Sequence, residues 1–159
     1  MTIAAGDTIP SITLHTMGAE GPGPISTDDL FKGKKVVAFG LPGAFTPTCS
    51  AKHLPGFVEH ADAIKAKGVD SIVCLSVNDA FVMGAWGKDQ NVGDAVTMVA
   101  DGDAAFAKAT GLELDLNGKG LGLRCQRFAM IVDDGVVRSI DIDAGGFEKT
   151  SAEYLLGQL

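Results

Sequence analysis

Three short apolar runs set the narrowest limit on the fold: KKVVAFGLP at 34–42, VDSIVCLSV at 69–77 and AVTMVAD at 95–101. All are of strand length and rich in β-branched residues. The first two are apolar at consecutive positions rather than alternate ones, so both faces of those strands must be covered. Between them lies a segment of helical spacing, in which Leu54, Phe57, Val58, Ala61 and Ile64 recur at intervals of three and four, with Lys52, Glu59, Asp62 and Lys65 on the other face. Strands alternating with helices that cover them make an α/β domain. The chain of 159 residues reads as one domain, 1–159, long enough to bury about two thirds of its unfolded surface without a covalent staple.

Punctuation residues give the remaining elements. SITLHTM at 11–17 is a first strand. EGPGPISTDD reads as a turn-rich connection in which Ser26 or Thr27 caps a short helical turn through Phe31. Pro42 cannot donate to a ladder and closes the 34–42 strand. Pro47 suits the first turn of the next helix, with Thr46 at the N-cap position; Pro55 predicts a kink and Gly68 an end. Asn78 or Asp79 caps a helix running to about Lys88, and DGDAAFAKATGL is a short helix ended by Gly111. LNGKGLGLR reads as a mobile loop; no strand feeds its glycines into a helix, so it lacks the context of a dinucleotide fingerprint. RCQRFAMIVDDGVVRSIDID reads as a hairpin about Asp134-Gly135. Ser151 caps a closing helix with Leu155, Leu156 and Leu159 on its apolar face.

Charge and cysteine usage exclude several functions. With 13 basic against 20 acidic side chains and a net charge of −7, the chain is unsuited to nucleic acid or to an anionic membrane surface. Its start, MTIAAGDTIP, has no basic segment leading into an apolar core, and its longest apolar run is about half of a bilayer span, so the cytoplasm is the expected location. Cys49, Cys74 and Cys125 form no CxxC pair, which argues against a disulfide framework or a cysteine zinc site. His53 and His60 can share a helix face, but no third ligand stands nearby. No metal or other cofactor is expected.

GLPGAFTPTCS at 40–50 carries the chemistry. A cysteine there can pack as a small apolar side chain on a buried helix. Three features favour reaction instead: a strand that breaks just before it, a helix that starts at Pro47, and hydroxyls at Thr46 and Thr48 that packing does not require. At a helix N-terminus, unpaired amides and the positive dipole end favour thiolate over thiol. Cys49 is therefore a candidate nucleophile.

PGAFTPTC at 42–49 contains PxxxTxxC and resembles the active-site signature of the peroxiredoxins, thiol peroxidases of thioredoxin-like fold. The longer string PGAFTPTCSAKHLPGF resembles their type II, or peroxiredoxin five-like, branch. VDSIVCLSVND, FVMGAW and RCQRFAMIVDDG extend the likeness over nearly the whole chain. The resemblance implies a central mixed β-sheet flanked by helices. It makes Cys49 the thiolate that attacks a peroxide oxygen and becomes sulfenic acid, Thr46 the hydrogen-bonding partner of peroxide and thiolate, Pro42 the shield of the pocket, and Arg127 the distant arginine of the set. His53, one turn after Cys49, is a supporting residue that can orient Arg127; Arg124 is a weaker second-charge candidate. Phe45, Phe81 and Trp86 read as core aromatics, although dimers of the family pack such residues near the active-site loops. A homodimer is implied.

Resetting a sulfenic acid needs a second thiol. Cys74, inside a strand, reads as an inert core thiol; a resolving role at its position has been considered in plant-like relatives. Whether Cys125 reaches Cys49 is left open by strand alternation alone. Nothing after Cys125 is a cysteine, so the late resolving cysteine of some animal members is absent. A one-cysteine cycle with glutathione, glutaredoxin or thioredoxin is the expected one, acting on hydrogen peroxide and small organic hydroperoxides. Two rivals remain: a cysteine hydrolase using Cys49 and His53, which lacks an acidic orienter, and a thioredoxin-like redox-signalling module oxidised once without turnover.

Overall fold

A computed structural model describes residues 1–159. Its seven-stranded sheet is mixed, in the order β2-β1-β5-β4-β3-β8-β9. The strands are β1 (Thr13–Gly18), β2 (Gly21–Ser26), β3 (Lys35–Leu41), β4 (Ser71–Ser76), β5 (Thr97–Ala100), β8 (Arg127–Asp133) and β9 (Val136–Asp143). The central trio β3, β4 and β5 is parallel, as strands apolar on both faces should be. β8 and β9 pair antiparallel along one side of β3, and β1 and β2 antiparallel beyond β5.

Helices cover both faces. On one lie α2 (Leu54–Glu59), α3 (Ala61–Lys65), α4 (Ala80–Asp89) and α6 (Ala152–Leu156), which bury Leu54, Phe57, Ile64, Trp86 and Leu155. On the other lie α1 (Thr27–Phe31) and α5 (Ala105–Thr110), which bury Phe31 and Phe106. Alternation along β4 divides its side chains between the layers: Ile72 and Cys74 face the first, Val73 and Leu75 the second. Cys49 shares the first layer with Cys74; Cys125 lies in the second.

Several expected features are in place. Ser26 caps α1 in a reciprocal box with Asp29, Asp79 rather than Asn78 caps α4, and Ser151 caps α6. Asp134 and Gly135 turn the β8–β9 hairpin at φ of 49° and 79°.

Three expectations need correction. The segment read as a turn-rich connection contains β2, whose Pro22 and Pro24 pair opposite Met17 and His15. Two prolines two residues apart point their missing amides the same way, which an edge strand tolerates. The stretch read as a mobile loop belongs to a separate hairpin, β6 (Glu113–Leu116) with β7 (Gly122–Cys125). Its Gly118, Gly120 and Gly122 supply positive φ to that hairpin. The helix after Pro47 is not continuous. It opens into a π-turn over Cys49–His53, where the Leu54 amide donates to the Cys49 carbonyl, and it breaks again at His60, with φ −95° and ψ 7°. Pro55 lacks the amide that would bond the Ala51 carbonyl in a regular α-helix, so the wider turn falls where that bond is lost.

Candidate active site

β3, an interior strand, delivers the chain to Leu41, and the loop from Pro42 to Thr46 carries it over the C-terminal end of that strand into the helix that bears Cys49. The Ala44 amide donates to Asn78 Oδ1 (3.0 Å), which also accepts from Ser76 Oγ (2.6 Å). Arg124 Nη1 donates to the Pro42 carbonyl (3.2 Å) and its Nε to the Leu121 carbonyl (2.9 Å), tying the β6–β7 hairpin to this loop. A Cβ at Gly43 would collide with Arg124 Nη1. Arg124 therefore braces the loop rather than supplying a second charge at the sulfur.

Thr46 Oγ1 donates to the Gly43 carbonyl at 2.6 Å. This differs from both expected uses of its hydroxyl: the oxygen accepts from no helix amide, as an N-cap would, and the proton is not directed at Cys49. No side chain caps the π-turn either. A hydroxyl whose proton is committed still offers its lone pairs as an acceptor.

Cys49 is almost fully buried, and its sulfur meets Arg127, the first residue of β8. Arg127 Nη2 donates to Sγ at 3.2 Å, and Nη1 lies 2.8 Å from His53 Nδ1. His53 is wholly buried, with Nε2 2.9 Å from the Thr150 carbonyl. A carbonyl can only accept, so Nε2 carries the proton and Nδ1 accepts from the arginine. Burial, and then the Arg127 charge, push the His53 pKa down to about 3, against the opposing hydrogen bond to Thr150 and the charge of Asp143. His53 is a neutral imidazole that aims the guanidinium. Neither ion pair of the molecule involves Arg127, although Asp143 stands opposite it across the β8–β9 ladder.

The carbonyl that fixes His53 is itself fixed by a loop without helix or strand. Asp143, at the end of β9, accepts from the amides of Glu148, Lys149 and Thr150 and from the Thr150 hydroxyl. Burial alone would raise the Asp143 pKa; the Thr150 hydroxyl and these amides overcome it and hold the carboxyl below the usual range. The same loop places the Phe147 ring 5.7 Å from the Arg127 guanidinium carbon and 5.1 Å from the His53 ring. Asp143, Phe147 and Thr150 were not singled out from the sequence. Their segment has no periodicity, and a main-chain carbonyl leaves no trace in residue type.

The structure thus brings Cys49, His53 and Arg127 together, with Pro42 and Thr46 on the adjoining loop. A pocket of about 480 Å³ opens beside them, with Pro42, Thr48, Arg127 and Phe147 in its wall. Cys74 is fully buried in β4 opposite Phe39 of β3. Burial, and then the neighbouring thiols Cys49 and Cys125, raise its pKa well above the ordinary range. Cys125 is buried on the far side of the sheet, its pKa likewise raised by burial and then by Asp101. Of the three aromatics read as core, only Trp86 is buried, its Nε1 donating to Ser50 Oγ at 3.0 Å. Phe45, at φ 64°, is 53% exposed and Phe81 66%.

The Redoxin family model matches residues 4–156. Peroxiredoxin-2B of Arabidopsis thaliana is 48% identical over 159 residues, covering 99% of this chain and 98% of its own length. Peroxiredoxin-2E-2, chloroplastic, of Oryza sativa subsp. japonica is 49% identical over 164 residues, covering 99% of this chain and 73% of its own. The crystal structure of reduced Prx3 in complex with H₂O₂ from Vibrio vulnificus superposes with a TM-score of 0.95, at 52% identity and 99% coverage of both chains.

Proposed function

The chain belongs to the peroxiredoxins, on their type II branch, and from that premise we propose a one-cysteine cycle in which Cys49 reduces hydrogen peroxide and small organic hydroperoxides and an external thiol restores it. Membership makes it a thioredoxin-fold thiol peroxidase; the roles of the residues, the oxidants, the reductant and the assembly are the proposed part. The observation that carries the residue roles is the Arg127 Nη2 bond to Cys49 Sγ, aimed by a neutral His53.

Arginine only donates, so its bond to sulfur is strongest with the thiolate, the nucleophilic form. The peroxide oxygen under attack carries a hydrogen, which Thr46 Oγ1 accepts because its own proton is held by Gly43. Sulfur then forms a bond to that oxygen as the O–O bond breaks. The departing oxygen leaves with the electron pair, and the Arg127 guanidinium stabilises its charge. A proton from solvent completes water or an alcohol, and Cys49 is left as sulfenic acid. Pro42, at the pocket wall, limits access of bulk water.

A donor thiol condenses with the sulfenic acid to give a mixed disulfide and water. A second thiol displaces Cys49 as thiolate and carries away the oxidised donor. Glutathione with glutaredoxin, or thioredoxin, fits this step. What supports an external donor is the placement of the other thiols, Cys74 buried within the sheet and Cys125 beyond it. Three free thiols also suit a reducing compartment such as the cytoplasm.

The assembly we propose is a homodimer through Phe45 and Phe81, exposed on segments joined by the Ala44 to Asn78 bond. The deciding experiment is peroxide consumption by Cys74→Ser/Cys125→Ser protein with each donor, with masses recorded. Many turnovers per chain support the cycle. Oxidation of Cys49 without turnover would make Cys74 or Cys125 a resolving thiol; a single oxidation per chain in the wild type as well would indicate a signalling module.

A further inference from the structure

The pocket beside Arg127 holds groups that hydrogen peroxide does not need. Leu114 and Leu116, alternate residues on one face of β6, line it together with Pro42 and Phe147. Both leucines are half-buried and neither packs against either core layer, so this wall stabilises the fold little and remains available to a ligand. Lys52, on the π-turn that carries Cys49, lines the same pocket and is exposed. Neither of the two ion pairs includes it.

The other charges of the pocket are occupied. Arg127 is used on Cys49 and His53, and Asp143 accepts from three amides and a hydroxyl of its own loop. Lys52 is the lining cation left free, on a molecule of net charge −7 that otherwise repels anions. An apolar wall shared by a free ammonium and by the Arg127 that bonds the reacting sulfur suits an amphipathic molecule, with an acid at one end and the reacting group at the other.

We propose that this pocket binds organic hydroperoxides that carry a carboxylate, with Lys52 as the specificity-determining residue: the apolar body lies on Leu114, Leu116 and Phe147, the carboxylate meets Lys52, and the hydroperoxide reaches Cys49 and Arg127. The inference rests on the peroxidase reading above. The chemistry of the step is unchanged, the product being the corresponding hydroxylated or alcohol-bearing acid in place of water. A carboxylate on a thiol donor such as glutathione is the other source of the same charge, and it would act on reduction rather than oxidation.

The test compares cumene hydroperoxide with its 4-carboxy analogue in single-turnover oxidation of the reduced protein, read as the ratio of their second-order rate constants. Wild type, Lys52→Ala and Lys52→Glu are compared at low and high salt. The expected result is a carboxylate-to-neutral ratio that falls about fivefold in Lys52→Ala and further in Lys52→Glu, with the difference shrinking as salt screens the charge. Because each ratio is taken within one variant, a general loss of reactivity cancels. An unchanged ratio overturns the proposal. So does an unchanged ratio accompanied by slower reduction of sulfenic Cys49 by glutathione, which would assign Lys52 to the donor. Failure of wild-type Cys49 to be oxidised by hydrogen peroxide would instead overturn the peroxidase reading itself.

Discussion

Arg127, His53 and Thr46 have different parts in the proposed oxidation, and their substitutions separate them. Replacing Arg127 by Gln removes the permanent charge but keeps a donor, and oxidation of Cys49 by hydrogen peroxide should slow by about 100-fold or more in stopped-flow measurements. Thr46→Val removes the acceptor with little change of shape and should cost a similar factor, while Thr46→Ser should recover most of the rate. An equal loss in Ser and Val would mean that the methyl group, not the oxygen, matters. His53 has a pH consequence of its own. Its folded pKa of about 3 lies below the unfolded value of 6.5, so between these the unfolded chain binds a proton that the folded one refuses. Stability is intact above pH 6.5 and declines as pH falls towards 3, by a limit of about 5 kcal/mol and about 2 kcal/mol by pH 5. Urea unfolding at pH 7.5 and pH 5 should show this decline in wild type and a shallower one in His53→Gln.

At the scale of elements, the π-turn and the loop after β9 hold these residues in place, and neither was expected from the sequence. PxxxTxxC marked the thiol, and the resemblance selected Arg127 although 77 residues separate it from Cys49. The strands β1, β3, β4, β5, β8 and β9, the caps at Ser26, Asp79 and Ser151, and the Asp134-Gly135 turn were legible because each rests on local rules of spacing or backbone preference, whereas β2 and the β6–β7 hairpin, rich in glycine and proline, were not. The π-turn was not: a proline at position 55 predicts a disturbance but not its form, which depends on where Cys49 must meet Arg127. Restoring the missing amide in Pro55→Ala allows a regular helix. Stability should change by less than about 1 kcal/mol, yet oxidation of Cys49 should fall roughly tenfold as the sulfur rotates off the guanidinium. The loop was illegible because its anchor is one carboxylate gathering main-chain amides. Asp143→Ala should release the Thr150 carbonyl and slow oxidation by about tenfold. Its effect should largely vanish in a His53→Ala background, since both act through the same guanidinium; additive losses would show that Asp143 acts by another route.

For the whole molecule, the sheet explains why the three thiols differ. Cys49 lies beneath the Pro42–Thr46 loop with Arg127 on its sulfur, Cys74 is sealed within the sheet and Cys125 lies on the other face, which is why the proposed cycle uses Cys49 alone. The aromatic residues extend the same logic outward. Their sequence context suggested core packing, but Phe45 and Phe81 are exposed, and only the Phe45 ring leans on the buried Trp86, at 6.3 Å between centroids. Two large exposed rings beside the Pro42–Thr46 loop are unfavourable for an isolated chain and favourable at a two-fold contact, where one patch meets its own copy. Phe81→Arg sets two like charges near each other at such an interface and should shift the sedimentation coefficient from dimer to monomer without altering the fold measured by circular dichroism. If the loop depends on that contact, the monomer should also oxidise more slowly, and a dilution series of wild-type protein should show the same loss of rate at the concentration where the dimer dissociates. A wild-type chain that sediments as a monomer at all concentrations would leave the exposed rings without this partner and the loop braced by Asn78 and Arg124 alone.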